Sequence, residues 1–507
     1  MAIAIGYLLL SLGAVQKDDL TYDEQDHLNY GVSILKFNPS RLQKGRDFSS
    51  TMPITSFNAL PRAAEQLGNP ILQKKDFGES DARNGRYVTI LATVLLLIYV
   101  YFFARAWGGN MAGYFAMLIV AMDPNILAHG HLVTTDIYST LGFVASFYHL
   151  FQWLAKKRSL HFFYWSIAIA VAQCCKINNI LLYPLSFVIL AFYTVMNFRQ
   201  LNLVQSLVRI LVFVLFQILV INIFFLFNNV GMSVGEFAFK SQFFQNIQKS
   251  WIANIPMPFA KPYIETFDYV QYERETFDGT ASNYLLGELR NKAGFSYYYY
   301  VVFLLKTPIF TLLTSLGILA LMIVKRKMFL NFLLFWLLPI VTLFLFLNNS
   351  TVQSGYRYLL PVLCMTAIPA GQTISWLAER LKKNWLPYIL AVLIVAPALF
   401  AYPNYLIYTN EIVFNKTNAY QYFADSNLSW GQRHKQVTEF VKEHPDYIFE
   451  PGKPTKGIII VELNNFVGIV NPNQYEWLRK DFKPFDNYDG CYLLFNVESI
   501  PVTAPSK

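Results

Sequence analysis

Two adjacent carboxylates and a histidine follow the first apolar segment, in the stretch TYDEQDH at residues 21–27. A carboxylate beside a bilayer can have its pKa raised towards neutrality, and it can then accept a proton from an attacking hydroxyl or amine. Two neighbouring acids also allow one to act while the other orients it. Asp23 and Glu24 are therefore candidates for acid/base chemistry. The alternative is an ordinary acidic loop.

A second polar stretch, DPNILAHGHLVTTD at residues 123–136, contains two histidines and two acids. His129 and His131, with Asp136, could be metal ligands. The sequence does not supply the remaining ligands at a spacing characteristic of zinc. The stretch can also be structural, because its first two residues end a helix and its last three begin another. Asp136, at the mouth of that helix, is well placed to hydrogen-bond a sugar hydroxyl.

Three basic residues near the ends of apolar segments are candidates for binding a phosphate: Lys176, Lys306 and Arg357. Ionisable groups at membrane depth are often functional, and a guanidinium binds phosphate through two parallel hydrogen bonds. For Lys176 and Arg357 the alternative is that the side chain reaches back to the interface and anchors a helix there. The phosphate argument is weaker for Lys306, which lies within an apolar run.

These residues must be positioned by a membrane-embedded scaffold. The 507 residues are 54% hydrophobic and 14% charged, with a mean hydropathy of +0.33, whereas soluble domains carry about 25% charged residues. The sequence predicts a polytopic α-helical membrane protein with about eleven spans of apolar residues. They lie near 2–16, 85–104, 110–123, 136–155, 161–174, 177–196, 206–228, 298–323, 329–347, 358–378 and 386–402.

Basic residues fall in alternate loops of this arrangement, which makes that side cytoplasmic. They are Arg105, Lys156 to Arg158, Arg199, Lys325 to Lys327, and Arg380 with Lys382 and Lys383. Their placement in short loops argues against nucleic-acid binding. The segments predicted to face outward are 17–84, 124–135, the turn around 174–178, 229–297, 348–357 and the tail from 403, and the polar candidate groups cluster on this side. Residues 1–15 lack the basic start of a signal peptide and are expected to remain as a short first helix.

Two domains are predicted: a transmembrane domain over 1–402 and an outer-face α/β domain over 403–507. In the second, we expect a helix from about 430 to 443, strands at 457–463 and 491–497, and a helix at 474–479. Loop 229–297 is rich in Tyr, Phe, Pro and Asn. It is therefore predicted to be a packed lid over the outer surface.

These motifs, taken in order, resemble the polyprenyl-phosphate-dependent glycosyltransferases of the GT-C fold. The resemblance covers nearly the whole chain and is to the glycosyltransferase 39 group, which includes protein O-mannosyltransferases and aminoarabinose transferases. Its first part is Tyr22-Asp23-Glu24 with His27 and Gly31, and its second is the stretch 124–136. The later parts are Lys176, Leu286-Gly287-Glu288, Tyr299 with Lys306-Thr307-Pro308, Arg357-Tyr358 and the tail motif DSNLSWGQ at 425–432.

The resemblance implies an inverting transfer of a sugar from a polyprenyl-phosphate carrier, such as undecaprenyl phosphate, to a protein, lipid or glycan acceptor at the outer face. Asp23 would be the base and Glu24 its partner. His27, His129, His131 and Asp136 would bind substrate, and Lys176, Arg357 and Lys306 the lipid phosphate. The tail lacks the repeat domain of the eukaryotic mannosyltransferases, which favours a bacterial inner-membrane enzyme with a periplasmic site.

The sequence departs from this family at Thr51-Met52-Pro53-Ile54, where some relatives have a phosphate-binding lysine before the proline. Arg41, Arg46 or Lys176 is expected to take its place, or the donor headgroup is held differently. Family members differ in their use of metal, so no metal is inferred and a divalent ion stays an open alternative. The other classes considered are a transporter or flippase of lipid-linked sugars and an inactive protein that binds sugar lipids. A transporter requires polar or broken helices near the midplane, whereas here the polar groups cluster at one surface.

Overall fold

The computed structural model describes residues 1–40, 51–66, 79–197, 202–276, 282–324 and 326–499. Four of the basic residues named above, Arg41, Arg46, Arg199 and Lys325, lie outside the described residues. The helices of the membrane part and its loops are Ala2–Val15, Glu24–Leu35, Ser56–Gln66, Glu79–Ala121, Pro124–His129, Asp136–Lys156, Ser159–Gln173, Leu182–Met196, Leu203–Phe224, Gln242–Gln248, Lys261–Thr276, Tyr298–Lys306, Ile309–Val324, Phe329–Phe332, Leu338–Asn348, Leu360–Leu381 and Leu386–Ala401.

The predicted polytopic helical character is confirmed, because five of the described helices are long and apolar enough to cross a membrane. A sixth is added if one bent pair counts as a span, and two further apolar helices, Ala2–Val15 and Leu386–Ala401, are shorter. The five are Ala82–Ala121, Ile177–Met196, Leu203–Phe224, Phe329–Asn348 and Tyr356–Leu381. The count of eleven spans stays a prediction.

The longest helical stretch, Glu79–Ala121, folds back on itself at Gly109, whose φ of 86° and ψ of −179° are not helical. The ring of Tyr101, before this bend, lies 5.0 Å from the ring of Tyr114, after it. In one straight helix, residues so far apart in sequence would be separated by about 20 Å. The stretch therefore consists of two arms, which correspond to the predicted segments 85–104 and 110–123.

The segment expected as a single helix at 298–323 is broken. Tyr298–Lys306 and Ile309–Val324 meet at a bend of 111°, with Thr307 in an extended conformation before Pro308. A proline has no backbone N–H to donate and disfavours the helical conformation in the residue before it. The expectation of a continuous span was wrong for this reason, and Lys306 lies at the bend instead of on a straight helix.

The segment Tyr356–Leu381 is the central element of the membrane part, and 94% of its most apolar stretch is buried within the protein. It packs against both Glu79–Ala121 and Asp136–Lys156, and against Ile309–Val324. The backbone approach is close at Gly371, where an added Cβ would lie 2.5 Å from the carbonyl oxygen of Ala112. This packing fixes Arg357 at one end of the buried helix.

Loop 229–297 has its own small core, which includes Val234, Phe237 and Phe239. It also contains an antiparallel hairpin of strands β1 (Ser282–Leu285) and β2 (Glu288–Asn291). Leu286 and Gly287 connect the strands with φ values of 51° and 82°, the paired positive values of a tight hairpin turn. The described residues of this loop therefore pack together around their own core, and the prediction that the loop is a lid stays a prediction.

The tail contains a four-stranded sheet in the order β3-β4-β6-β5. Its strands are β3 (Tyr447–Phe449), β4 (Gly457–Glu462), β5 (Asp486–Tyr488) and β6 (Tyr492–Val497), and its α-helices are His434–Glu443, Leu463–Val467 and Glu476–Asp481. β3 runs parallel to β4, whereas β6 runs antiparallel to both β4 and β5. The two predicted strands are confirmed as β4 and β6. The helix expected from 430 begins only at His434, because Asp425–Asn427 form a short 3-10 helix and the residues after it contact the membrane part, as in the bond from the Tyr22 N–H to the Trp430 carbonyl. The domain boundary at 402 stays a prediction.

Candidate active site

Three distant segments meet at Asp23, which directly precedes helix Glu24–Leu35. Nη1 of Arg357, at the start of the central segment, donates to Oδ2 of Asp23 over 2.5 Å. Nε1 of Trp430, from the tail, donates to Oδ1 over 3.4 Å, and the Arg357 guanidinium lies 4.4 Å from the centre of the Trp430 ring. The side chain of Asp23 is 13% exposed, so water reaches this carboxylate.

Glu24 lies in a different environment from its neighbour and is fully buried. Arg86 binds both of its oxygens, with Nε 2.8 Å from Oε1 and Nη2 2.6 Å from Oε2. The backbone N–H groups of Thr21 and Val133 donate as well, each over 2.9 Å. Burial alone would raise the pKa of Glu24, but the Arg86 charge and these hydrogen bonds outweigh it and lower the pKa below its usual 4.5. Glu24 therefore stays ionised and connects the segment before helix Glu24–Leu35 to Arg86 and Val133 of the membrane part.

Asp136 and Lys176 form a second ion pair, in which Nζ donates to Oδ1 over 2.5 Å. Asp136 is the first residue of helix Asp136–Lys156. Helix Ser159–Gln173 packs antiparallel to that helix, and Lys176 follows its end. The Lys176 ammonium also lies 3.7 Å from the centre of the Tyr358 ring. Tyr358 directly follows Arg357 in the sequence. Lys176 and Arg357, two of the three basic residues predicted to bind phosphate, therefore line the same pocket.

That pocket is a narrow cleft that opens to the surface. Its polar lining is Asp136, Ser139, Lys176, Asn178, Asn179 and Arg357, and the remaining wall is Phe143, Leu343, Leu347, Tyr358 and Pro361. Two cations thus stand beside a largely apolar wall supplied by three helices. This combination suits a ligand with an anionic head and a hydrocarbon chain.

The three predicted histidines are all buried. Burial lowers the pKa of His27 to about 4, although Asp23 and Asp136 oppose this, and burial lowers the pKa of His129 to about 3. His129 packs edge-on against Trp430, whereas His131 is held between the Leu127 carbonyl and Asp18. The structure thus brings His27 and His129 to the site as neutral rings and places His131 in a structural contact. Among the described residues, no group of three or more His, Cys, Asp or Glu side chains is arranged to hold a metal ion.

Lys306 does not join the other two cations. Its buried ammonium donates to the Leu406 carbonyl over 2.7 Å and to the Asn427 carbonyl over 2.5 Å. Both acceptors belong to the tail, so Lys306 joins the bend after Tyr298–Lys306 to the segment that carries Trp430.

Sequence reasoning identified the tail motif but missed what it contacts. The Asn427 side chain accepts from the N–H of Tyr356 and donates to the hydroxyl of Tyr298. The backbone N–H of Tyr22 donates to the Trp430 carbonyl over 3.1 Å. Arg86, which holds Glu24, was also missed; its signal was an arginine at the outer end of an apolar helix, the same signal that identified Arg357.

Comparison with known proteins identifies one family. Residues 76–224 match the family model described as dolichyl-phosphate-mannose-protein mannosyltransferase. This segment includes four candidate residues: His129, His131, Asp136 and Lys176. No curated protein matches the sequence.

Two solved structures are similar along almost the whole chain. One is ArnT from Cupriavidus metallidurans in the apo state, with 11% identity, a TM-score of 0.49 and 97% of each chain covered. The other is the same protein bound to undecaprenyl phosphate, with 12% identity, a TM-score of 0.47, and 100% of this chain and 99% of that chain covered. Similarities this low do not transfer the roles of individual residues. The family match confirms the resemblance predicted from the motifs: the chain is a polytopic α-helical membrane protein that is similar, over residues 76–224, to the dolichyl-phosphate-mannose-protein mannosyltransferases of the GT-C fold.

Proposed function

We propose that this protein transfers a sugar from a polyprenyl-phosphate carrier to an acceptor at the outer face of the membrane. The family match of residues 76–224 supports glycosyltransferase chemistry in general. The observation that carries the proposal is the pocket in which Lys176 and Arg357 stand beside Phe143, Leu343 and Leu347. A lipid phosphate needs both parts of such a pocket, cations for its head and an apolar wall for its chain.

In the proposed reaction, the acceptor attacks the anomeric carbon while the bond from that carbon to the phosphate oxygen breaks. The electron pair of this bond leaves with the phosphate, which gains negative charge. Lys176 and Arg357 stabilise that charge, since fixed cations in a water-poor site favour developing anions. Attack opposite the departing phosphate inverts the configuration at the anomeric carbon.

The proton of the attacking group goes to Asp23 in this proposal. A carboxylate needs water or substrate access and a fixed orientation to act as a base, and Asp23 has both through its partial exposure and its contact with Arg357. Glu24 is then a positioning residue, because its oxygens are already bound by Arg86, Thr21 and Val133.

Asp136, which lines the pocket, is proposed to contact the sugar. Neutral His27 and His129 are proposed to do so as well, because both lie within electrostatic reach of Asp136 and Arg357. Lys306 and His131 are proposed to hold the fold together, because they do not line the pocket and are bound by backbone carbonyls and, for His131, by Asp18. The basic loops predicted to be cytoplasmic support an outer, periplasmic position for this site and for the tail. The proposal extends to a protein, lipid A, a wall polymer or another glycan as the acceptor, and it does not specify the sugar.

The test uses purified protein in lipid with a panel of radiolabelled polyprenyl-phosphate sugars and a membrane extract as acceptor. Wild type is compared with Asp23→Asn and with a matched control, Asp26→Asn, three residues away in helix Glu24–Leu35. We expect label transfer by wild type and by Asp26→Asn, and a loss of at least about 100-fold for Asp23→Asn. Equal transfer by Asp23→Asn would rule out the assigned base. Lipid-linked sugar that crosses the bilayer without being consumed would support a transporter instead.

A further inference from the structure

We propose that Trp430 is a positioning residue for Asp23, so that the tail completes the reaction centre. This inference rests on the proposed function, in which Asp23 is the base. The Trp430 indole N–H donates to Oδ1 of Asp23 over 3.4 Å, at the long end of the hydrogen-bond range, while Arg357 binds Oδ2. With a donor on each oxygen, the carboxylate plane has a defined direction.

The same indole ring also constrains the other partner of Asp23. The Arg357 guanidinium lies 4.4 Å from the centre of the Trp430 ring, a distance at which the negative face of the ring attracts a cation. The Arg357 Nε donates to the Ser354 carbonyl over 3.2 Å. Trp430 therefore contacts Asp23 through its indole N–H and contacts Arg357 through the face of its ring.

Trp430 can impose this geometry because its own backbone is held on both sides. Its N–H donates to Oε1 of Gln432 over 2.6 Å, and its carbonyl accepts from the N–H of Tyr22 over 3.1 Å. The N–H of Asp19 donates to the Gln432 carbonyl over 3.1 Å. These backbone bonds attach the tail to the residues directly before Asp23, and the indole is 4% exposed.

A purely structural tryptophan would matter only for docking of the tail. A positioning tryptophan has a further effect, because a hydrogen-bond donor to a carboxylate favours its ionised form. Without the indole N–H, a base in this place is protonated at higher pH. The acid side of the pH–rate profile should therefore move upward, which poor docking alone would not cause.

The first experiment measures the pH dependence of transfer for wild type and Trp430→Phe, which retains an aromatic ring but lacks the N–H. The donor is the panel member that wild type consumes. Trp251→Phe is the matched control, because the Trp251 side chain lies in the outer loop and is 79% exposed. We expect the acid limb of Trp430→Phe to move up by on the order of half a pH unit, with the control unchanged. A lower rate with an unmoved limb would overturn the proposal while leaving the proposed function intact.

The second experiment does not depend on activity. A double-mutant cycle of Asp23→Ala and Trp430→Phe, followed by thermal unfolding in detergent, measures whether the two side chains are coupled. We expect non-additive changes in Tm for this pair and additive changes for Asp23→Ala with Trp251→Phe. If no sugar donor is consumed by wild type, the proposed function fails, and the cycle still decides whether the contact exists. Additivity in the Trp430 cycle would refute the positioning contact.

Discussion

Replacing Glu24 by Gln should destabilise the protein far more than replacing its neighbour Asp23 by Asn. An amide has one accepting oxygen and one donating NH2 group, whereas every partner of Glu24 is a donor. If the NH2 group takes the Oε1 position, it faces Arg86 Nε and the Val133 N–H. If it takes the Oε2 position, it faces Arg86 Nη2 and the Thr21 N–H and hydroxyl. Either orientation leaves at least two donors unsatisfied and the buried Arg86 charge unpaired.

Breaking one side of a buried ion pair costs about 3–5 kcal/mol, and we expect a loss of this size for Glu24→Gln. The measurement is unfolding in detergent at pH 7, followed by intrinsic fluorescence and by the folded fraction in size-exclusion chromatography. Asp23→Asn is the matched control, since it removes the adjacent charge from a pair that water reaches. It should cost less stability and abolish transfer.

The pH dependence provides a second check on the same residue. Because the pKa of Glu24 is lowered in the folded protein, its stabilising contribution is present above the unfolded value of about 4.5 and is lost as the pH falls through the folded value. The difference between wild type and Glu24→Gln should therefore shrink below pH ~4.5. Equal stability of Glu24→Gln and wild type at pH 7 would refute the structural role, and would return Glu24 to the reaction as a partner of Asp23.

Three further predictions concern the pocket and its supports. The double change Lys176→Met with Asp136→Asn, which conserves net charge, should weaken the binding of undecaprenyl phosphate in lipid nanodiscs by at least roughly tenfold. The control Lys249→Met, at an exposed position, should bind as wild type does. Equal binding by the double variant and wild type would exclude Lys176 as a phosphate ligand. The pKa of His27 is about 4 in the folded protein and about 6.5 in an unfolded chain, so the unfolded state takes up the proton first and stability falls as the pH drops from 6.5 to 4. Between these pH values, the free energy of unfolding of His27→Gln should fall by up to about 3 kcal/mol less than that of wild type. Parallel pH–stability curves for the two proteins would contradict the lowered pKa of His27. Gly31→Ala should reduce the free energy of unfolding by ~1–3 kcal/mol and thereby lower Tm, because the added Cβ would lie 2.3 Å from the Thr55 carbonyl oxygen. An unchanged Tm would show that the backbone at Thr55 can move aside.

The sequence was informative about the residue types at the candidate site and about the helical membrane character, and less so about the contacts of each residue. Asp23 and Glu24 are alike as neighbours in a sequence, but successive helical residues point about 100° apart. Asp23 therefore contacts Arg357 and is reached by water, whereas Glu24 is buried against Arg86. That division depends on how helix Glu24–Leu35 packs, which no local pattern specifies.

The cations illustrate the same limit. Lys176, Lys306 and Arg357 were all candidates for binding phosphate, with Lys306 the weakest because it lies within an apolar run. The pocket is lined by Lys176 and Arg357, whereas Lys306 binds backbone carbonyls of the tail. The bend that places Lys306 against the tail was signalled by Pro308, although the segment is apolar enough to be predicted as one span. The contact between Asp23 and Trp430 joins residues 407 positions apart, and nothing in either motif indicates the other.

The attachment of the tail to the first outer loop has a consequence for biosynthesis. A ribosome makes the chain from its amino end, so Asp23 is in place long before Trp430 exists. The bonds from Asp19 and Tyr22 to the segment 430–432 can form only when nearly all of the protein has been inserted. A partly made chain therefore has Asp23 without its contacts to Arg357 and Trp430, and this candidate site is completed late in synthesis.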